Sequence, residues 1–138
     1  MESPTLVPLC SVQLELAAPT VIKGGPAGTR MIAPIAAMRL SGDRLSGALE
    51  GPAAADWLTI AGEVATIDVR ATIRTDDDAI VFVQYRGRSD AAERFGTAPI
   101  HVAVMFETAA PQYTWLNPLL AVGRGELSEL RYEWFELR

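Results

Sequence analysis

The stretch "EVATIDVRATIRTDDDAIVFVQYR", residues 63 to 86, constrains the fold more than any other part of the chain. Ala65, Ile67, Val69, Ala71 and Ile73 alternate with Thr66, Asp68, Arg70 and Thr72. A period of two is the signature of a β-strand, whose side chains point alternately to opposite faces. "RTDDD" breaks the alternation as a turn, and "AIVFVQYR" resumes as an apolar, β-branched run suited to a central strand. Two strands around one short turn predict an antiparallel hairpin.

The remaining pattern is of the same kind. In "CSVQLEL" Cys10, Val12, Leu14 and Leu16 alternate with Ser11, Gln13 and Glu15. "PTVIKGGPAGTR" reads as a loop because of its glycines and prolines. "RMIAPIAAMRL" reads as a strand in which Pro34 marks an edge or a bulge. "SDAAERF" is the one helical stretch, Ser89 to Phe95, with Asp90 as cap and Glu93 completing a capping box. "PIHVAVMFET" is a strand, "AAPQYTWLN" a loop, and "PLLAVGRG" and "LRYEWFEL" finish the chain. About eight short strands predict one all-β domain over residues 1–138, an antiparallel barrel or a sandwich with one short helix.

Charge and composition exclude several functions. The net charge is −5, the only lysine is Lys23, and the arginines are scattered. Nucleic-acid and membrane-surface binding both need clustered cations, so neither is expected. Cys10 is the only cysteine, which rules out an intrachain disulfide and reads as a buried small hydrophobe. No charged start precedes an apolar run, and no segment is long enough to span a bilayer, so a cytoplasmic location is expected. With His101 the only histidine, no set of ligands for zinc or another transition metal exists. "TDDDA" lacks the spacing of a calcium loop. "GGPAG" lacks the lysine of a phosphate loop, and no serine lies in a nucleophile elbow. Neither a metal nor a nucleotide site is expected.

Three constellations carry possible chemistry. The first is the polar strand face of Thr66, Asp68, Arg70 and Thr72. Alternation alone gives it to solvent, as in an ordinary half-buried strand; the alternative is a pocket lining. The second is Asp56 beside Trp57, either an acid against an apolar wall or a core tryptophan beside a turn cap. The third is "FETAAPQYTWLN", which groups Glu107, Tyr113, Trp115 and Asn117 as either a binding mouth or a packed corner. His101 shares a strand face with Glu107 but stands six residues away, too far for direct contact along the strand.

These pieces, in this order, resemble a known family, domain-of-unknown-function family 3237. The resemblance rests on "TRMIAPIAAMRLSG", "GALEGPAAADW", "IDVRATIRTDDDAIVFVQYRG", "FETAAPQYTWLN" and "VGRG". It implies a calycin-like or lipocalin-like antiparallel β-barrel, commonly oligomeric, with no cofactor. Some fungal relatives are cyclases that add a hydroxyl across a carbon–carbon double bond within one molecule. The chain departs from the pattern at Asp78, Ala36, Ala37, His101 and Val104, and in a longer stretch from Ser89 to Ala98.

The resemblance turns the polar face inward, with Asp68, Arg70 and Thr72 lining a cavity. Ala65, Ile67, Val69, Ala71 and Ile73 then point outward and call for a homo-oligomer to cover them. The leading expectation is an enzyme acting by acid/base cyclisation, isomerisation or hydroxyl addition on a small, largely apolar or aromatic oxygenated molecule. Asp68 or Asp56 serves as acid/base and Arg70 steadies developing negative charge. The ligand-contacting set is Arg30, Trp57, Thr72, His101, Glu107, Tyr113, Trp115 and Asn117. The alternative is a barrel that binds or carries a small molecule without turnover.

Overall fold

A computed structural model describes residues 1–138. Ten strands follow in order: β1 Leu6–Leu16, β2 Thr20–Gly25, β3 Gly28–Ser41, β4 Gly47–Leu49, β5 Ala55–Ala61, β6 Val64–Thr75, β7 Ile80–Asp90, β8 Ile100–Glu107, β9 Ala121–Glu126 and β10 Arg131–Leu137. All pairings are antiparallel, and the β1–β3 pairing closes the sheet on itself. The expected all-β antiparallel barrel is therefore the fold.

Two positions of the ring are each shared by two strands. β4 and β5 both lie between β3 and β6, divided by the segment 50–54. β1 and β2 both lie along β3, with β2 taking over where β1 ends. The barrel thus has eight positions. Pro34 sits at the hand-over from β1 to β2, where a missing N–H is tolerated, and the register shifts nearby, at Ala36, between Glu15 and Leu16.

"PTVIKGGPAGTR" forms a hairpin instead of the expected loop. Val21 and Ile22 pair with Met31 and Arg30, while Gly24 and Gly28 take the positive φ angles that its turn needs. The expected helix at Ser89–Phe95 does not form. Asp90 does make the local cap-type contact, its Oδ1 accepting from the N–H of Ala92 at 2.8 Å. However, β7 runs on to Asp90, paired with Val64, and too few residues remain before Gly96 to propagate a helix. The helical turn lies instead in the expected loop, as a 3₁₀ helix over Pro111–Leu116.

The hairpin of β6 and β7 is as expected, but its orientation is reversed. Ala65, Ile67, Val69, Ala71 and Ile73 are all buried in the core. Asp68, Arg70 and Thr72 are on the outside, Arg70 exposed and the others partly so. Burying five apolar side chains outweighs any gain from sequestering an acid and an arginine, whose desolvation is expensive. The outer surface invoked for self-association is thus the inside of the barrel.

Tyr85 on β7 and Tyr132 and Trp134 on β10 share the interior, with Tyr85 edge-on to both aromatic neighbours at 5.5 Å between ring centroids. Gly123 and Gly125 on β9 make room for them. A Cβ at Gly123 would stand 2.5 Å from Trp134 Cδ1, and one at Gly125 would run into the Tyr132 ring. Cys10 is buried as expected, and desolvation first, then Glu133, pushes its thiol up to about 12, so it is unreactive.

Candidate active site

The two ends of the barrel differ. At one end, the 3₁₀ helix crosses to the β6–β7 turn, where the Tyr113 hydroxyl donates to Asp77 Oδ1 at 2.7 Å. Leu116 from this helix is fully buried in the core. Towards the other end, the interior opens into a cavity of about 190 Å³. Its rim includes Ala17, Pro19, Phe95, Leu127 and Leu130, and its walls are mostly hydrophobic.

Asp56 is the inward-facing acid of that wall, beside Val69, Tyr85, Ile100 and Tyr132, whereas Glu126, the other acid of the lining, is exposed. β5 directs it inward because alternation places Asp56 and Leu58 on one face and Trp57 on the other. Its Oδ1 accepts the backbone N–H of Asp68 at 3.1 Å. Burial among apolar walls pushes the Asp56 carboxyl up from 3.8 to about 6; the amide bond from Asp68 lowers it, and the Asp68 charge raises it again. The Tyr85 hydroxyl is fully buried and has no hydrogen-bond partner, as is the Trp134 indole N–H. Burial, followed by the charges of Tyr132 and Asp56, raises Tyr85 well above the phenol range, so it is a neutral donor. The cavity wall therefore holds a titratable acid and a tyrosine whose hydroxyl, buried in that wall, is neutral and unengaged. Such a pair can move a proton and donate to an oxygen atom of the same small molecule.

Of the expected site residues, only Asp56 lines this cavity. Trp57 and Arg70 meet outside the barrel, the guanidinium stacked 4.8 Å from the indole centroid. Arg30 Nη1 donates to the Trp57 carbonyl at 2.8 Å. Thr72 pairs across the strand with Phe82. Glu107 ends β8 on the exposed side. His101 is likewise outside, its Nε2 accepting from Arg124 Nε at 3.1 Å, so it forms no dyad with Glu107. Tyr113, Trp115 and Asn117 build the packed corner and not a mouth. Trp115 Nε1 donates to the Gln112 carbonyl, and Asn117 brackets both the N–H and C=O of Thr108.

Tyr85 and Tyr132 were not singled out from the sequence. A signal existed for each: both fall in the inward register of apolar strands, after Val81 and Val83 and before Trp134, where a hydroxyl is the exception.

The fold and this interior define a closed antiparallel β-barrel with an acid-bearing apolar cavity. The chain belongs to the family described as "Protein of unknown function (DUF3237)", whose model matches residues 4–137. Solved structures share the whole fold. A beta-barrel like protein from Acinetobacter baumannii AYE is 28% identical with a TM-score of 0.88, covering 100% of this chain and 98% of that one. A protein of unknown function from Clostridium acetobutylicum is 18% identical with a TM-score of 0.88, covering 99% and 100%. An enzyme from Penicillium herquei is 21% identical with a TM-score of 0.82, covering 100% and 97%. No curated protein matches this chain.

Proposed function

We propose that the protein is an acid/base enzyme, needing no cofactor, that rearranges a small, largely apolar oxygenated molecule inside the barrel. The observation that carries this reading is the Asp56 carboxyl, pushed up to about 6, facing an apolar cavity beside the unpartnered Tyr85 hydroxyl. A general base works best with a pKa near the working pH. The Penicillium herquei enzyme of the same fold supports this reading.

The reaction class is cyclisation, isomerisation or hydroxyl addition. In an intramolecular addition to an enone, the Asp56 carboxylate takes the proton of the substrate hydroxyl. The new carbon–oxygen bond forms as the double bond shifts its electrons towards the carbonyl. Tyr85 donates to the oxygen on which negative charge develops. Protonated Asp56 then returns the proton to carbon, so no atom or electron is gained or lost. The size of the cavity limits the buried part of the substrate: a dry cavity of about 150 Å³ holds one benzene ring.

The test is a panel of hydroxylated aryl enones incubated with wild type and Asp56→Asn, followed by mass-neutral product detection. Product from wild type and none from the variant supports the enzyme. Saturable binding of the panel with no product from any member supports the alternative, a carrier barrel.

A further inference from the structure

The arginines of this acidic chain are not used evenly. Arg39, Arg44, Arg74, Arg131 and Arg138 each hold a carboxylate in an ion pair. Arg86, Arg88 and Arg124 hold none, and they come together on the outer face of β7–β9. Arg88 is directly opposite His101, and His101 is directly opposite Arg124, so the three form a row across adjacent strands. Arg86 lies two residues from Arg88 on the same face. Gathered like charges repel, and no carboxylate forms an ion pair with this group. Glu126 and Glu129 also border this surface but form no ion pair with the arginines, and the carboxylates in register with them do not engage them either. Asp68 is in register with Arg86 but forms no ion pair, and Glu133, in register with Arg124, is held by Ser11 and Arg131.

The surface beside these cations is apolar and concave. One row along from His101, Ala103 and Val122 pair across β8 and β9, and Val122 pairs in turn with Phe135. Leu6 is more than half exposed at 55% and completes the slope. Together with the arginines these residues line an open groove of about 1040 Å³. Successive same-face rows on a strand are roughly 7 Å apart, so a head group on the arginines leaves a ring-sized body over Ala103 and Val122.

We propose that this groove is a second ligand site, separate from the barrel cavity, for a small amphiphilic anion: a carboxylate attached to an apolar or aromatic body. Arg88 and Arg124 grip the carboxylate from either side of His101, since guanidinium forks match a carboxylate's two oxygens. Arg124 donates only its Nε–H to His101, leaving the outer edge of the fork for the ligand. Ala103, Val122 and Phe135 cover the body. A second copy of this chain does not supply the anion from its most acidic segment. There Asp76 is held by Arg39, Asp77 by Thr75 and Tyr113, and Asp78 by Arg74.

The test uses 2-naphthoate and its neutral counterpart 2-naphthol, each titrated into isotopically labelled full-length protein and followed by amide NMR. The expected result is saturable shifts at Arg88, His101, Ala103, Val122 and Arg124 with 2-naphthoate. These should weaken at least tenfold with 2-naphthol and at least tenfold in Arg88→Gln/Arg124→Gln. Both substitutions lie on the exposed face, and a dispersed amide spectrum of the variant establishes that it is folded. The proposal is overturned if 2-naphthol shifts the same amides equally, if the double variant binds 2-naphthoate as well as wild type does, or if the naphthoate shifts fall on Val69, Tyr85 and Ile100 of the cavity. Because the readout is binding at the outer face, failure here leaves the cavity chemistry untouched, and loss of Asp56 chemistry leaves this result unchanged.

Discussion

The backbone N–H of Asp68 donates to the carboxylate of Asp56 at 3.1 Å, so one acid's main chain holds the other acid's side chain. The β5–β6 ladder pairs Asp56 with Val69 and next records Thr59 with Thr66. Between those pairs the Asp68 amide turns to the neighbouring carboxylate. Asp56 is thereby fixed in orientation while its other oxygen stays unengaged. Asp68 contributes through its amide, and its own carboxylate stays on the outer side.

Asp56 should make stability depend on pH in a definite direction. Its carboxyl titrates near 6 when folded and at an ordinary 3.8 when unfolded, so the folded chain keeps the proton longer. The contribution is complete below about pH 4 and is lost as pH rises through about 6. The loss amounts to at most ~3 kcal/mol, less to the extent that water reaches the carboxyl. Asp56→Asn retains an oxygen for the Asp68 amide and removes the titration. Urea unfolding should therefore find the variant more stable than wild type at pH 7 and equal to it at pH 4. If both proteins show the same pH profile, Asp56 is not the buried acid.

Tyr85→Phe should separate stability from function. The hydroxyl has no partner to lose. An unmet buried hydroxyl is unfavourable by about 1–3 kcal/mol, so its removal should leave the protein at least as stable. Binding of an oxygenated cavity ligand should weaken about tenfold, the worth of one good hydrogen bond. Calorimetric titration beside thermal unfolding reads both quantities, and a destabilised variant would show that the hydroxyl is satisfied in solution.

Asp68→Asn and Arg70→Met should be nearly silent. Arg70 is exposed and its main contact is the Trp57 ring. Each change should alter stability by no more than ~1 kcal/mol and leave any cavity ligand's affinity unchanged. Loss of turnover in either variant, with the fold intact, would reinstate the outer face as part of the site.

Gly125→Ala should act on the cavity from behind. The added methyl meets the Tyr132 ring, which forms part of the cavity wall. Overpacking of this kind destabilises by roughly 1–3 kcal/mol. A crystal structure of the variant should show the ring displaced into the cavity, with ligand affinity reduced accordingly.

Local pattern made the strands legible where alternation was clean, as in Val64–Thr75, because period-two burial and strand geometry are the same fact. It failed at Ser89–Phe95, where a capping residue was present but tertiary pairing had already committed the chain to β7. The inward placement of Asp68 and Arg70 failed for a different reason. Recurrence of a motif says that residues matter, and only the burial of Ile67, Val69 and Ile73 says which way they point. Asp56 was found because an acid after small residues is conspicuous. Tyr85 and Tyr132 were not: Tyr85 meets Asp56 through the register of both with Val69, and Tyr132 only when the ring closes through a strand far along the chain.

The 3₁₀ helix that seals one end of the barrel has a kinetic consequence. With Leu116 filling that end, traffic between solvent and the cavity passes by Phe95, Leu127 and Leu130. On the proposed reading, a product formed at Asp56 leaves by the door through which its precursor came. Two molecules cannot pass in a space of about 190 Å³. Product and substrate then exclude one another, so inhibition by product should be purely competitive, and a molecule too bulky to clear the rim should neither react nor inhibit.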